Sequence, residues 1–286
     1  MARNNRERNQ PGVPKTQGEA PPPTGRDGAA LSFSTPTDFV ALPTEGKFYP
    51  EDHPLHNEKF VEIRYMTAKD EDILTSKSLL KRGIAIDRFL QNIMIDKRIK
   101  LEDLYVGDKN ALLIGARITG YGEEYDCQVT CPSCGGANDH TFNLGSVFPK
   151  VLEDPAEHDI DLIEGDTFVI TTPVTKLDIK LRLLKSKDEK YLLKLTENKR
   201  KKKLPESALT DQLKLMIVSV NDSDNGNDIT ALVQNLPARD SRYIRQAYQK
   251  MAPNVDLGQF FICDSCAFET DRMEVPFTTA FFWPER

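Results

Sequence analysis

The sequence predicts an α+β fold made of two tandem, distantly similar units, each a β-hairpin followed by helices. Three observations support this prediction. Stretches with the two-residue period of a strand are mixed with stretches of helical period. Short sequences of the first half recur in the same order in the second half, and each half contains one Cys-x-x-Cys pair.

The composition is that of a globular protein. The chain has 286 residues, of which 39% are hydrophobic and 29% charged, so it can bury the core of one or two domains. Apolar runs such as 111–116 are too short to cross a bilayer, and the N-terminus lacks the apolar stretch of a secretory signal. The net charge of −6 argues against a general binder of nucleic acids or anionic membranes.

Residues 1–37 are predicted to form a disordered arm. They are rich in Pro and Gly and carry scattered Arg residues. Such a segment cannot bury enough apolar surface to offset the chain entropy that folding would cost. Two interpretations stay open, a solvated tail and an arm that becomes ordered on a partner.

The first unit, residues 38–150, is predicted to contain a hairpin, three helices and a strand that leads into the first cysteine pair. Thr67 is in the N-cap position of the first helix, and acidic residues fill the turn after it. The predicted strands are 39–43, 60–66 and 125–130, and the predicted helices are 67–80, 84–95 and one that starts near Asp108.

The second unit, residues 151–286, follows the same order. Ser186 is the predicted N-cap of its first helix, and a polar turn at 221–228 precedes its last helix. The predicted strands are 167–173, 177–184 and 257–262, and the predicted helices are 186–195, 207–220 and 238–251.

An internal repeat relates the two units. The stretch that begins at Arg64, RYMTAKDEDIL, matches RLLKSKDEKYL, which begins 118 residues later at Arg182. Asp108 and Asp240 are 132 residues apart, as are the two cysteine pairs. Each Asp precedes the first cysteine of the pair in its own half by 23 residues. We interpret the chain as a tandem duplication with an insertion near 196–207. Two copies favour a pseudo-two-fold pair over a solenoid.

Four of the five cysteines are predicted to bind one structural Zn²⁺ ion per chain. An odd number of cysteines with this spacing fits metal binding in a reducing cytosol better than a disulfide framework. Four thiolates close the tetrahedral coordination of zinc, so no water could be activated there. Such a site would join the two halves across a long loop. The alternative is that one or both pairs are free thiols or redox pairs. The predicted ligands are Cys131, Cys134, Cys263 and Cys266.

Other candidate sites are weaker. Cys127 aligns with Gln259 and is interpreted as a buried free thiol. His140 is either an alternative ligand or a solvated loop residue. The run 221–232 resembles a calcium loop but has Leu232 at the twelfth position, which favours a turn. The repeated Lys-Asp-Glu could serve acid–base chemistry, although helix-dipole stabilisation accounts for it better. With no phosphate loop or nucleophile motif, we expect no enzyme.

Two further segments suggest contacts with other molecules. The basic run 198–203 is either a solvated loop or a polyanion contact, and with the arm it supports an alternative function as a zinc-ribbon nucleic-acid binder. The C-terminal aromatic residues either close the core or anchor a partner. These candidate partner-binding residues are Phe277, Phe281, Phe282 and Trp283.

Several stretches together resemble the baseplate hub assembly subunit family of T-even-like contractile-tailed bacteriophages. They are LPTEGKFYP, EIRYMTAKDEDIL and VGDKNALLIGARITGYG before CPSCG, then LPARDSRYIRQAY before CDSC and FFWP. The resemblance covers residues 38–286. It implies a non-enzymatic protein that binds other baseplate hub or tail proteins, in the host cytoplasm during assembly or in the virion tail baseplate.

Overall fold

The computed structural model describes residues 35–150, 160–162, 165–277 and 281–282, with only the backbone of residues 161 and 162. Residues 1–34 of the predicted arm lie outside the described residues. The chain from residue 36 onward belongs to one compact unit. No described helix is both long enough and apolar enough to cross a membrane.

Eight α-helices lie within the described residues. They are α1 (Ala68–Thr75), α2 (Lys77–Lys81), α3 (Ala85–Ile93), α4 (Val106–Tyr121), α5 (Ser186–Lys201), α6 (Ala208–Met216), α7 (Gly226–Asn235) and α8 (Ala238–Met251). Two short 3-10 helices cover Leu101–Asp103 and Leu144–Ser146.

The described strands form small antiparallel sheets. The strands are β1 (Thr37–Ala41), β2 (Phe60–Arg64), β3 (Glu124–Thr130), β4 (Ala137–Asn143), β5 (Phe148–Lys150), β6 (Asp161–Leu162), β7 (Thr167–Thr171), β8 (Asp178–Arg182), β9 (Ile217–Val220), β10 (Asn254–Asp256), β11 (Gly258–Ile262) and β12 (Glu269–Glu274). β6 to β9 form a four-stranded sheet in chain order, and the pairs β1–β2, β3–β4, β5–β10 and β11–β12 form two-stranded sheets. The predicted α+β class is therefore confirmed.

Both halves contribute to one hydrophobic core. α3 buries Phe89, Leu90 and Ile93 completely, as its helical spacing predicts. Each such side chain contributes about 1.5–3 kcal/mol through burial. α4 approaches its neighbours closely through glycines: a Cβ at Gly115 would lie 2.4 Å from the Val40 side chain, and one at Gly107 would lie 2.0 Å from the Pro253 carbonyl oxygen. Larger residues at these two positions would push α4 away from β1 and β10.

The two halves also exchange backbone hydrogen bonds. The N–H of Val106 donates to the Leu184 carbonyl (3.1 Å), and the N–H of Ser186 donates to the Leu104 carbonyl (2.8 Å). These bonds join the segments that precede α4 and α5. β5 of the first half pairs with β10 of the second. The halves are thus joined at several places besides the cysteine pairs.

Several predicted elements were wrong in extent. The predicted helix 67–80 is broken at Ser76, whose backbone is extended, into α1 and α2. The predicted helix 207–220 ends at Met216, and β9 follows because Ile217–Val220 pairs with β8. α5 continues to Lys201, so the first part of the basic run is helical and not a loop. Lys185, and not Ser186, is the N-cap of α5. α7 and the strand after each cysteine pair were not predicted.

The repeated Arg and Asp residues form the same structure in both halves. Arg64 donates two hydrogen bonds to Asp70, of 2.6 and 2.8 Å. Arg182 donates two to Asp188, both of 2.8 Å. Asp70 also accepts from the backbone N–H of Thr67 at the N-terminus of α1, as Asp188 does from that of Lys185 at the N-terminus of α5. Each Arg–Asp pair therefore fastens a hairpin to the first turn of the next helix.

The second repeated aspartate also binds the hairpin of its own half. Asp108, in the first turn of α4, accepts from the N–H and hydroxyl of Thr44 (3.1 and 2.7 Å) and the hydroxyl of Tyr49 (2.7 Å). Asp240, in the first turn of α8, accepts from the N–H of Val174 and the N–H and hydroxyl of Thr175, at 2.8 to 2.9 Å. These parallels agree with the repeat, and the duplication itself stays a prediction.

Candidate metal centre

Each Cys-x-x-Cys pair lies in the turn of a β-hairpin. In β3–β4, the N–H of Cys131 donates to the Gly136 carbonyl, and the N–H of Gly135 donates to the Cys131 carbonyl, both at 2.9 Å. In β11–β12, Cys263 makes the same two bonds with Phe268 and Ala267, again at 2.9 Å. Gly135 and Ala267 both have positive φ, at 72° and 54°. The two turns therefore share one backbone conformation, which directs both thiols of a pair to the same side.

The two turns bring all four predicted cysteines together. Their Sγ atoms lie within 4.8 Å of one another. The Cys131–Cys266 and Cys134–Cys263 Sγ distances are 3.8 and 3.7 Å. These distances are far longer than a disulfide bond. Tetrahedral zinc with Zn–S bonds of about 2.3 Å requires Sγ–Sγ distances of about 3.8 Å. The arrangement can hold one metal ion, and its geometry and thiol ligands fit zinc.

The surroundings of the cluster favour a thiolate at Cys263 and oppose one at Cys266. The first cysteine of each pair is buried and the second is exposed. Burial opposes ionisation of Cys263, but the backbone N–H groups of Cys266 and Ser265 outweigh it and lower the pKa of this thiol to about 6. At Cys266 the N–H of Phe268 is outweighed by burial and by the neighbouring thiols, which raise the pKa of this thiol to about 12. The N–H of Gly136 donates to Cys134 Sγ at 3.4 Å. Hydrogen bonds of this kind stabilise the deprotonated sulfur that a metal ion requires.

Two amide side chains join the two hairpins, Asn138 beside the cysteine turns and Gln259 at the opposite end of β3–β4, and no signal in the sequence predicts them. Asn138, which is buried, accepts from the N–H of Asp264 (2.9 Å) and donates to the Gly136 carbonyl (3.0 Å). Gln259 accepts from the N–H of Asn143 (2.9 Å) and donates to the Asn143 carbonyl (2.8 Å). Only the folded chain places these amides opposite the other hairpin. These bonds join the two hairpins independently of any metal.

Cys127 and His140 lie outside the four-cysteine cluster. They face each other as partners in β3–β4, where Cys127 is half-buried and packs against the core. Burial raises the pKa of the Cys127 thiol. The ring of His140 contacts Phe142 and Phe261 edge-on, with centroids 4.6 and 5.4 Å apart. His140 thus packs against aromatic rings and is not among the residues that gather at the cluster.

The C-terminal aromatic residues differ in exposure. Phe281 and Phe282 are each 2% exposed, and they contact Tyr125 and Phe89 with ring centroids 5.2 and 5.6 Å apart. These two residues close the core over the first half, which favours the core interpretation for them. Phe277 is 45% exposed. Trp283 lies outside the described residues.

Part of the basic run 198–203 makes contacts within the fold. Lys199 forms an ion pair with Asp211 (2.5 Å) and a hydrogen bond with Ser207, which join α5 to α6. Arg200 and residues 201–203 are exposed. Cations at the C-terminal end of a helix are also stabilised by the helix dipole.

Comparison with known families identifies the chain. The family model described as T4 bacteriophage base plate protein matches residues 49–283, which include all four cluster cysteines and both repeated Arg–Asp pairs. Neither the curated proteins nor the solved structures that were compared with the chain gave a match. The match spans most of the sequence, and it agrees with the resemblance seen in the sequence motifs. The chain therefore belongs to the T4 bacteriophage base plate protein family.

Proposed function

We propose that this protein is a non-enzymatic structural or assembly component of the phage baseplate hub, stabilised by one zinc ion. The observation that carries the proposal is the four-cysteine cluster, which joins hairpins from the two halves of a chain of the baseplate family. Its partners would be other hub or tail proteins. It would act in the host cytoplasm during assembly and at the tail baseplate.

The proposed role of zinc is structural. Cys131, Cys134, Cys263 and Cys266 would supply all four ligands, so the ion would have no open position for water or substrate. Binding couples to folding because the cluster exists only when both hairpins are in place. Structural zinc contributes about 10–16 kcal/mol of apparent binding free energy in small zinc-binding peptides. Even a fraction of that value would exceed most single side-chain contributions in the core.

Replacement of one ligand tests the shared site. We expect Cys263→Ser to remove bound zinc and to destabilise both halves, because the metal fastens the first hairpin to the second. Zinc per chain would be measured by mass spectrometry of the purified protein, and the stability of each half by hydrogen exchange. Cys127→Ser is the matched control and should retain one zinc ion. Full zinc content in Cys263→Ser would contradict the site, and unchanged exchange in residues 38–150 would contradict the coupling of the halves.

Phe277 is the part of the C-terminal aromatic segment that supports a partner contact, because its ring is exposed while Phe281 and Phe282 are buried. We expect Phe277→Ser to abolish co-purification with hub or tail proteins while zinc content stays unchanged. The melting temperature should fall only slightly, through loss of the edge-on contact with Phe281 (4.9 Å between ring centroids). Phe148→Ser, at another exposed phenylalanine (68%), is the control. Undiminished co-purification of Phe277→Ser would remove this ring from the proposed interface.

A further inference from the structure

A concave, positively charged cleft lies between α2–α3 on one side and α5 on the other. Its volume is about 720 Å³. Its basic lining residues are Lys81, Arg82, Arg88, Lys190 and Lys194, and its acidic ones are Asp87, Glu102 and Glu197. The chain as a whole carries a net charge of −6, so a cleft with an excess of cations departs from the average of the protein.

The acidic groups of the cleft are mostly neutralised within the fold. Lys190 contacts Asp87 at 3.8 Å and Glu102 at 3.4 Å. Lys109 contacts Asp87 at 3.6 Å and Glu189 at 3.2 Å. Glu197 is the remaining carboxylate of the lining. The floor of the cleft is therefore an internal network of ion pairs that links the two halves.

Four cations of the lining are left without an ion pair among the described residues. They are Lys81, Arg82, Arg88 and Lys194, and all four are exposed. Like charges around one concavity repel each other, and the walls concentrate their field. A bound anionic group would relieve that repulsion. Lys201 lies two helical turns beyond Lys194 on the same face of α5, so the exposed basic run extends the charge of the cleft along the helix.

The lining favours an acidic polypeptide over a nucleic acid. Among the described residues that line it, none has an aromatic side chain on which a base could stack. Ile84, which is half-buried, adds apolar surface that a peptide side chain can cover. The unneutralised Glu197 would repel a continuous row of phosphates, whereas a peptide with spaced carboxylates can place a neutral residue there.

We propose that this cleft binds an acidic segment of another protein, with carboxylates against Arg82, Arg88 and Lys194. This inference rests on the proposed function in one respect only, namely that the partner is a protein. It concerns a surface separate from Phe277.

Fluorescence anisotropy of the full-length, metal-loaded protein with a labelled (Glu)10 peptide at low salt tests the cleft. We expect binding that weakens with added salt and that falls about tenfold in the double variant Arg88→Glu with Lys194→Glu. Lys176→Glu, at an exposed lysine in the β7–β8 turn, is the control for one charge reversal and should change binding far less than Arg88→Glu or Lys194→Glu alone. A (Gln)10 peptide should not bind.

Two results would overturn the proposal. One is absence of (Glu)10 binding, or binding that responds equally to Lys176→Glu and to the double variant. The other is tighter binding of a 20-base-pair DNA duplex with the same sensitivity to Arg88 and Lys194, which would assign the cleft to nucleic acid. Zinc content and melting temperature of each variant show whether it is folded. If the wild-type protein does not bind (Glu)10 but still co-purifies with hub proteins, the inference about the cleft fails while the proposed function stands.

Discussion

Asp108 and Asp240 occupy the same position in the two halves, but their surroundings act on them in opposite directions. Burial raises the pKa of Asp108, and the hydrogen bonds from Thr44 and Tyr49 only partly offset it. Burial also opposes ionisation of Asp240, but the N–H groups of Val174 and Thr175 outweigh it and lower its pKa. Thr44 and Tyr49, which donate to Asp108, are themselves buried, whereas Val174, which donates to Asp240, is 48% exposed. The position in the repeat is therefore matched by similar hydrogen bonds, and the burial of the residues that cover each aspartate goes with the direction of its pKa shift.

Of the changes that compare the two halves, removal of an arginine from the Arg–Asp pairs is expected to cost the most stability. Asp70 has no exposed surface, while the side chain of Asp188 is 9% exposed. Removal of the arginine leaves a buried carboxylate without its cation, which costs several kcal/mol when water cannot reach it. We expect Arg64→Ala to lower the free energy of unfolding by about 3 kcal/mol and Arg182→Ala by about 2 kcal/mol.

Urea unfolding of both variants measures this difference. Arg98→Ala is the control, since Arg98 is 78% exposed in its pair with Asp96 and its removal should cost far less than that of Arg64 or Arg182. A loss at Arg64 as small as that at Arg98 would show that the first pair is not structural. A larger loss at Arg182 than at Arg64 would reverse the comparison.

The second aspartates should respond differently to replacement by asparagine. In each Asn variant the amide oxygen can still accept from one backbone N–H, that of Thr44 or of Val174, while the NH2 group replaces the other carboxylate oxygen. At position 108 this NH2 can donate to the Thr44 and Tyr49 hydroxyls, which can reorient, but at position 240 it cannot accept from the fixed N–H of Thr175. We expect Asp240→Asn to cost about 2 kcal/mol and Asp108→Asn less than about 1 kcal/mol in unfolding free energy at neutral pH. Equal losses at the two positions would contradict this account.

The pH dependence of the unfolding free energy also distinguishes the two aspartates, because their pKa values are shifted in opposite directions. A lowered folded pKa gives stability that is present above the unfolded pKa and is lost as the pH falls through the folded value. The advantage of the wild type over Asp240→Asn should therefore shrink below the ordinary pKa of 3.8. Asp108 has a raised pKa, so the wild type should gain relative to Asp108→Asn as the pH falls through that raised value. Unfolding curves from pH 7 to pH 3 measure both trends.

The smallest expected effect concerns the two cysteine turns. Gly135 and Ala267 share a left-handed conformation, which glycine adopts without strain and alanine does not. We expect Ala267→Gly to raise the free energy of unfolding by about 0.5–1 kcal/mol and Gly135→Ala to lower it by about 1 kcal/mol. A Cβ at Gly135 would contact nothing within 4 Å, so the loss there reports backbone strain alone. Melting temperatures of the metal-loaded variants check both signs, and a stabilising Gly135→Ala would contradict the shared conformation.

The sequence predicted the elements that have a strong local signal. Thr67 lies at the N-cap of α1 as expected, and the strand period identified β2, β7 and β8. Elements whose signal depends on a distant partner were missed. Residues 217–220 read as the end of a helix and became β9 only because β8 offers them a ladder of hydrogen bonds.

The candidate site shows the same division. The spacing of Cys131, Cys134, Cys263 and Cys266 was enough to predict a four-thiol cluster, because two Cys-x-x-Cys pairs are a typical ligand set for one tetrahedral metal site. The supporting amides of Asn138 and Gln259 were not predictable, since polar side chains are common and only the packed hairpins show which ones are opposite a free N–H. The division of the aromatic tail into buried and exposed rings was equally invisible in the sequence.

By itself, the sequence determined the α+β class, the position of the two cysteine pairs and the repeated Arg and Asp residues, because these follow from local periodicity and from ligand chemistry. Tertiary structure alone decided which arginine each buried aspartate binds, which aspartate has a raised pKa, and where unpaired cations gather around a cleft. Such properties depend on burial and on distances between residues far apart in the chain, and neither is encoded in any short stretch of it.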